Sequence, residues 1–188
     1  MQPPREVSEI AAVRSFADLQ PANHQAAAFR LLVEIDMEIG VFGSSWAHCD
    51  RLSTYVARMV SHNRTDSLLY SNLFSSALNE LLETVFRAHR GDGAFACSVW
   101  RDGRVDRIEL VVPCDADQES FYRNAVEHVG SSEAGERYRK ALFSTGPMDP
   151  DIGLLELTVD YAAKLSVGPA GDGAIRLIAD LALEEAQD

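Results

Sequence analysis

Residues 79–89, Asn79-Glu80-Leu81-Leu82-Glu83-Thr84-Val85-Phe86-Arg87-Ala88-His89, hold two polar pairs, each four residues apart: Glu80 with Thr84, and Asn79 with Glu83. Four residues is about one helical turn, so each pair presents both side chains to the same side of a helix. A carboxylate held in this way can orient or deprotonate a water or a hydroxyl. The two pairs are one residue out of register, and the sequence leaves both open as the reactive pair. Other chemistry-bearing residues are less well placed. His48-Cys49-Asp50 are consecutive, and neighbours on a helix diverge by about 100°, so they cannot form a nucleophile–base dyad among themselves. Cys49, Cys97 and Cys114 are odd in number and lack CxxC spacing. They form neither a disulfide framework nor a structural zinc site, and read as small buried hydrophobes. His24, His62, His89 and His128 show no metal-ligand spacing and read as solvated side chains.

The candidate pairs need a long helix, and the pattern supplies one. Asp66 can cap it; Leu69, Leu73, Ala77, Leu81, Val85 and Phe86 stripe one side to about His89, and Gly91 stops it. Before it, Leu31, Val33, Ile35, Met37 and Ile39 alternate with mostly polar residues, the period-2 pattern of a half-buried strand. Gly40 and Gly43 end that strand. Ser44 or Ser45 can then cap a helix over residues 46–62, with Leu52, Tyr55, Val56, Met59 and Val60 on its apolar side. After the long helix, residues 94–100 and 105–113 read as strands joined at Asp102-Gly103, a strong hairpin signal. Helices are predicted over residues 118–129, 133–143 and 151–164. A second hairpin follows, with Leu165-Ser166-Val167 leading through Gly171-Asp172-Gly173 to alternating Ile175, Leu177, Ala179, Leu181 and Leu183. Hairpins preclude an all-parallel doubly wound sheet. The expectation is an α/β (α+β) two-layer sandwich: a mixed, mostly antiparallel five-stranded sheet with three or four helices on one face. Residues 1–28 are expected as a weakly ordered N-terminal segment, and residues 29–188 as one domain.

Bulk properties narrow the function classes. The chain has 188 residues, 46% of them hydrophobic, enough for one sizeable core. A formal net charge of −12 repels nucleic acid and anionic membranes. The one candidate basic patch, Arg101, Arg104 and Arg107, is interleaved with Asp102, Asp106 and Glu109. No apolar run approaches the roughly 20 residues of a membrane span, and the N-terminus lacks a signal-peptide core. A cytoplasmic protein that binds neither nucleic acid nor membrane is expected.

This order of elements resembles the histidine-kinase-like ATPase fold of gyrase, chaperone, histidine-kinase and mismatch-repair ATPases. More narrowly, it is similar to the small bacterial anti-sigma-type serine kinases and relatives that act on STAS-domain partners. The resemblance spans residues 28–184 and implies a site for ATP and Mg²⁺. Glu80 falls at the family's catalytic acidic position. Thr84 stands where the family has a magnesium-binding Asn, so its hydroxyl becomes the implied metal ligand; Asn79 is the out-of-register alternative. Asp115 or Asp117 matches the Asp that recognises the adenine amino group, but the two glycines that follow it in the family are absent. Gly146 and Gly153 match the glycine-rich lid and helix start that hold phosphate, with fewer glycines than the family carries. The resemblance therefore implies a bacterial signalling regulator that works by binding a protein partner, of STAS type, with a degenerate ATP pocket. The alternative it implies is an active serine/threonine kinase of such a partner, with Glu80 as base. Family members often form homodimers, so a homodimer is also among the expectations.

Overall fold

The computed structural model describes residues 29–89, 92–143, 151–171 and 173–183. The chain runs β1 (Arg30–Glu38), α1 (Ile39–Phe42), α2 (Ala47–Val60), α3 (Ser67–Ala88), β2 (Ala94–Asp102), β3 (Val105–Pro113), α4 (Ala116–Val129), α5 (Ala134–Leu142), α6 (Ile152–Asp160), β4 (Lys164–Pro169) and β5 (Ala174–Leu181). The five strands form one sheet in the order β1-β2-β3-β5-β4. All four pairings are antiparallel, so the expected mostly antiparallel character extends to every pair. Gly103 (φ +58°) supplies the left-handed turn that joins β2 to β3.

Alternation decides which face of the sheet is buried. Phe95, Cys97 and Val99 of β2, Ile108, Leu110 and Val112 of β3, and Ile175, Leu177, Ala179 and Leu181 of β5 point into one core. Phe74, Ala77, Leu78, Leu81, Leu82 and Val85 of α3 fill it from the helical side. Asp66 starts α3 as expected, its carboxylate accepting the Leu69 amide at 3.0 Å. At 22 residues, α3 is the longest helix described.

Several local expectations are corrected. A bulge between Leu31 and Val33 takes Leu31 out of the inward phase and leaves it 41% exposed. Tyr55 and Met59 of α2 are exposed; the buried stripe is Cys49, Ser53, Val56, Ala57 and Val60. The residue before α2 is Trp46, without a side-chain cap, and the Ser44 hydroxyl donates instead to the Val41 carbonyl. Helix α6 stops at Asp160 rather than residue 164, because Ala162 (φ +50°) breaks it and Lys164 joins the sheet opposite Asp180. Six helices are described: five lie near the predicted spans, and the additional one, α1, is a single turn.

Two of the three arginines of the hairpin, Arg101 and Arg107, are committed to ion pairs. Arg101 Nε donates to Asp106 Oδ1 at 2.6 Å, and Arg64 Nη2 reaches Asp106 Oδ2 at 3.1 Å. Asp106 is fully buried, and the Arg64 guanidinium stacks over Tyr70 at 4.6 Å. On the opposite face, Arg107 binds Asp180 through two bonds of 2.7 and 2.9 Å. These pairings disperse the charge that the sequence sets out as a possible patch.

Candidate functional site

Helix α3 divides its two candidate pairs between two neighbours. Asn79, Glu83 and Arg87, spaced one turn apart, form a chain along the helix. Asn79 Nδ2 donates to Glu83 Oε1 at 2.7 Å, and Arg87 Nη2 donates to Glu83 Oε2 at 2.6 Å. Glu83 is 8% exposed, and the Arg87 guanidinium lies over Trp46 at 5.1 Å. The Glu83 carboxylate thus has both oxygens bonded, which satisfies a buried charge. Arg87, not singled out by the sequence reading, completes this group; its place four residues after Glu83 is the signal that finds it.

Glu80 faces α6. A Cβ built on Gly153 would sit 2.6 Å from Glu80 Oε2 and 3.3 Å from the Glu80 carbonyl, so a larger residue here requires the Glu80 carboxylate to swing aside. The Glu80 carboxyl is pushed up from 4.5 to about 7, first by burial, then by the charges of Glu156 and Glu83, with Arg87 opposing. Glu156 follows Gly153 by one turn on the same side of α6, and its own carboxyl is raised by burial and by Asp160. Asp160 in turn accepts the Tyr138 hydroxyl at 3.0 Å. The site is therefore a half-buried group of carboxylates between α3 and α6, with Glu80 near its ionisation midpoint at neutral pH.

The remaining candidates are placed as follows. Thr84 is fully buried, and its hydroxyl donates to the Glu80 carbonyl at 2.9 Å, the back-bond a threonine makes inside a helix. Asp115 is exposed at the start of α4: its carboxylate accepts the Gln118 amide at 2.8 Å while Gln118 Oε1 accepts the Asp115 amide at 2.9 Å. That reciprocal pair is a capping box. Gly146 lies outside the described residues. The structure thus brings Glu80 and Gly153 together, ties Thr84 to the Glu80 backbone, commits Asn79 to Glu83, and sets Asp115 at a helix end. Among the described residues, no group of three or more His, Cys, Asp or Glu side chains is arranged to hold a metal ion.

His89 corrects the expectation of a solvated ring. It is 4% exposed at the end of α3, and Tyr122 lies 2.9 Å from its Nε2. The Gln118 amide donates to the Ala88 carbonyl and approaches His89 Nδ1 at 3.3 Å, which makes Nδ1 the acceptor and Nε2 the donor to Tyr122. Burial pulls the imidazole down to about 4, so the ring is neutral at physiological pH. Cys49 and Cys97 are buried and free, with thiols pushed up to about 12 chiefly by burial. They serve as small apolar side chains.

These features define an α+β two-layer sandwich whose long central helix presents a glutamate to the first turn of a neighbouring helix. No family model and no curated protein matches the chain. Among solved structures, the fold is similar to a chain in the crystal structure of the SiaB–SiaC complex from Pseudomonas aeruginosa. The TM-score is 0.58 at 12% identity, over 81% of this chain and 90% of that one. At that identity the likeness establishes the fold. No helix among the described residues is long and apolar enough to cross a membrane.

Proposed function

We propose that this chain is a signalling regulator that acts by binding a protein partner, and that its nucleotide pocket is degenerate. The observation that carries the second half is the packing of Gly153 against Glu80. In the nucleotide-binding form of the fold, the start of that helix holds phosphate with free backbone amides. Here a carboxylate abuts it, and an anion of the same sign would have to displace it. The donor set is also ill suited to magnesium: Thr84 is buried, its proton is committed to the Glu80 carbonyl, and Asn79 is committed to Glu83. Support for partner binding comes from the fold itself, which is shared with a chain of a two-protein complex. The proposed partner is a regulatory protein of the STAS-domain type, and self-association into a homodimer is part of the same reading.

The test is complex formation with a purified STAS-domain candidate, followed by size-exclusion chromatography with and without Mg-ATP. The expected result is a complex that forms equally well in both conditions and survives Glu80→Gln. A complex that requires Mg-ATP overturns the degenerate-pocket reading.

One observation favours the enzymatic alternative, an ATP-dependent serine/threonine kinase of a STAS-type partner. The Glu80 carboxyl near 7 lies in the range a general base needs at neutral pH. That reading requires labelled phosphate to pass from ATP to the partner with the wild-type chain and not with Glu80→Gln. Absence of transfer by wild type rejects it.

A further inference from the structure

The free edge of the sheet carries a surface separate from the contact between Glu80 and Gly153. Strand β1 ends the sheet order: it pairs with β2 on one side and with no described strand on the other. A nine-residue strand with a free side offers a row of N–H and C=O groups to one more strand. Val33, Ile35 and Met37 of β1 lie opposite Val99, Cys97 and Phe95. Those three β2 residues are closed into the core, but the three of β1 stay half-buried, so the core is open at this edge. Helix α2 touches β1 and packs on α3, which makes it the roof over the edge. Ser53 and Thr54 of α2 reach Ser75 of α3. Leu52, Tyr55 and Met59 lie about half a turn round α2 from them, on the side away from α3. Tyr55 is 60% exposed and Met59 47%. This stripe of α2 and the half-buried residues of β1 form an apolar shelf along the edge.

The other face of β1 is acidic. Glu34, Asp36 and Glu38 are exposed there, and the residues opposite them on β2 are Ser98, Ala96 and Ala94, none of them a cation. Further along the same face of the sheet the carboxylates are matched: Asp180 pairs with Arg107, and Glu109 with Arg176. Among the described residues, no cation is paired with the three carboxylates of β1. Their charge also selects the occupant. A second copy that added its own β1 to this edge would bring one acidic column against another, and like charges directly opposite one another destabilise a strand pair. A strand with basic residues on that face meets the opposite condition at every second position.

We propose that the β1 edge captures an extended segment of a different protein, one that alternates apolar and basic residues, as a sixth strand of the sheet. Its apolar side chains extend the row of Val33, Ile35 and Met37 under the α2 shelf, and its basic side chains face Glu34, Asp36 and Glu38. This rests on the reading of the chain as a partner-binding protein and names the chemistry of the segment it takes.

The test is an amide NMR titration of the full chain at constant ionic strength. The probe is a blocked peptide of about nine residues that alternates Lys and Val, long enough to match β1. The controls are a peptide of the same composition with its Lys and Val in separate blocks, and one that alternates Glu and Val. The expected result is saturable shifts centred on β1 and on the Leu52–Met59 side of α2, with the alternating Lys peptide binding at least about tenfold tighter than either control. Glu34→Lys combined with Asp36→Lys, both at exposed positions, should invert the preference between the Lys and Glu peptides. Tyr55→Asp should weaken the Lys peptide at least about fivefold. Absence of binding, equal binding of the alternating and block peptides, or a preference unchanged in a charge-reversed variant that keeps its fold would overturn the proposal. So would a concentration-dependent dimer whose shifted amides are those of β1, which assigns the edge to a second copy. Complex formation with a STAS-domain candidate stands or falls by its own test in each of these cases.

Discussion

Replacing Glu80 with Gln tests the electrostatics of the α3–α6 contact without changing side-chain size. Below pH 4.5, Glu80 is protonated in both folded and unfolded chains and contributes no pH dependence. Between 4.5 and about 7 the unfolded chain releases this proton while the folded one retains it. The unfolded state then binds fewer protons, so stability falls as pH rises, and the full penalty is present above pH 7. Each factor of ten in ionisation is about 1.4 kcal/mol, which puts a ceiling of roughly 3 kcal/mol on the effect. Glu80 keeps partial access to water, and screening reduces this to about 1–2 kcal/mol. Glu80→Gln should therefore be about 1–2 kcal/mol more stable than wild type at pH 8, equal to it near pH 4.5, and raise Tm at pH 8 by roughly 2–8 °C. Urea denaturation of both proteins at pH 4.5, 6, 7 and 8 reads this directly. Glu156 remains in the variant and leaves a shallower slope of the same sign. If the variant is destabilised at pH 8, or the two stability profiles stay parallel from pH 4.5 to 8, the burial and charge reasoning at Glu80 is wrong.

Other perturbations report on other parts of the account. Asp106→Asn removes the fully buried carboxylate that pairs with the half-buried Arg64 and Arg101, and should cost about 3–5 kcal/mol by urea denaturation. Gly153→Ala forces a methyl against Glu80 and should cost about 1–3 kcal/mol, partly recovered in the double variant with Glu80→Ala; full additivity of the two would show that they do not touch. Asp115→Ala removes the α4 cap and should cost about 1 kcal/mol with no other effect on the fold. His89 has a folded value near 4, below the unfolded 6.5, so its contribution to stability is lost as pH falls from 6.5 through 4. Imidazole NMR shifts should show this ring still neutral at pH 5, and titration near 6.5 would contradict its burial against Tyr122.

What the sequence reveals divides by distance along the chain. The Asp66 cap, the apolar stripe of α3 and the Asp102-Gly103 hairpin are local patterns, and each appears in the structure near its expected place. The capping box at Asp115 and Gln118 is equally local, and it commits Asp115 to the start of α4 in place of the adenine contact that the family resemblance implies. The exposure of Tyr55 and Met59 was hidden because α2 has two rival apolar stripes, and small residues such as Ser53 and Ala57 form the buried one. The Arg64–Asp106–Arg101 cluster joins residues up to 42 positions apart, and no periodicity records such a contact. The meeting of Glu80 with Gly153 spans a still longer separation, and no pattern along the chain records it. Spacing along α3 selects the candidate pairs, but tertiary packing sets Glu80 against Gly153 while Asn79 stays paired with Glu83 on its own helix.

The central claim is that the pocket beside Glu80 no longer serves as a nucleotide site. Isothermal titration of the full chain with Mg-ATP measures that claim most directly. The account predicts no saturable heat up to about 1 mM nucleotide, with or without magnesium. Magnesium-dependent, one-to-one binding with a Kd below about 100 µM would contradict it.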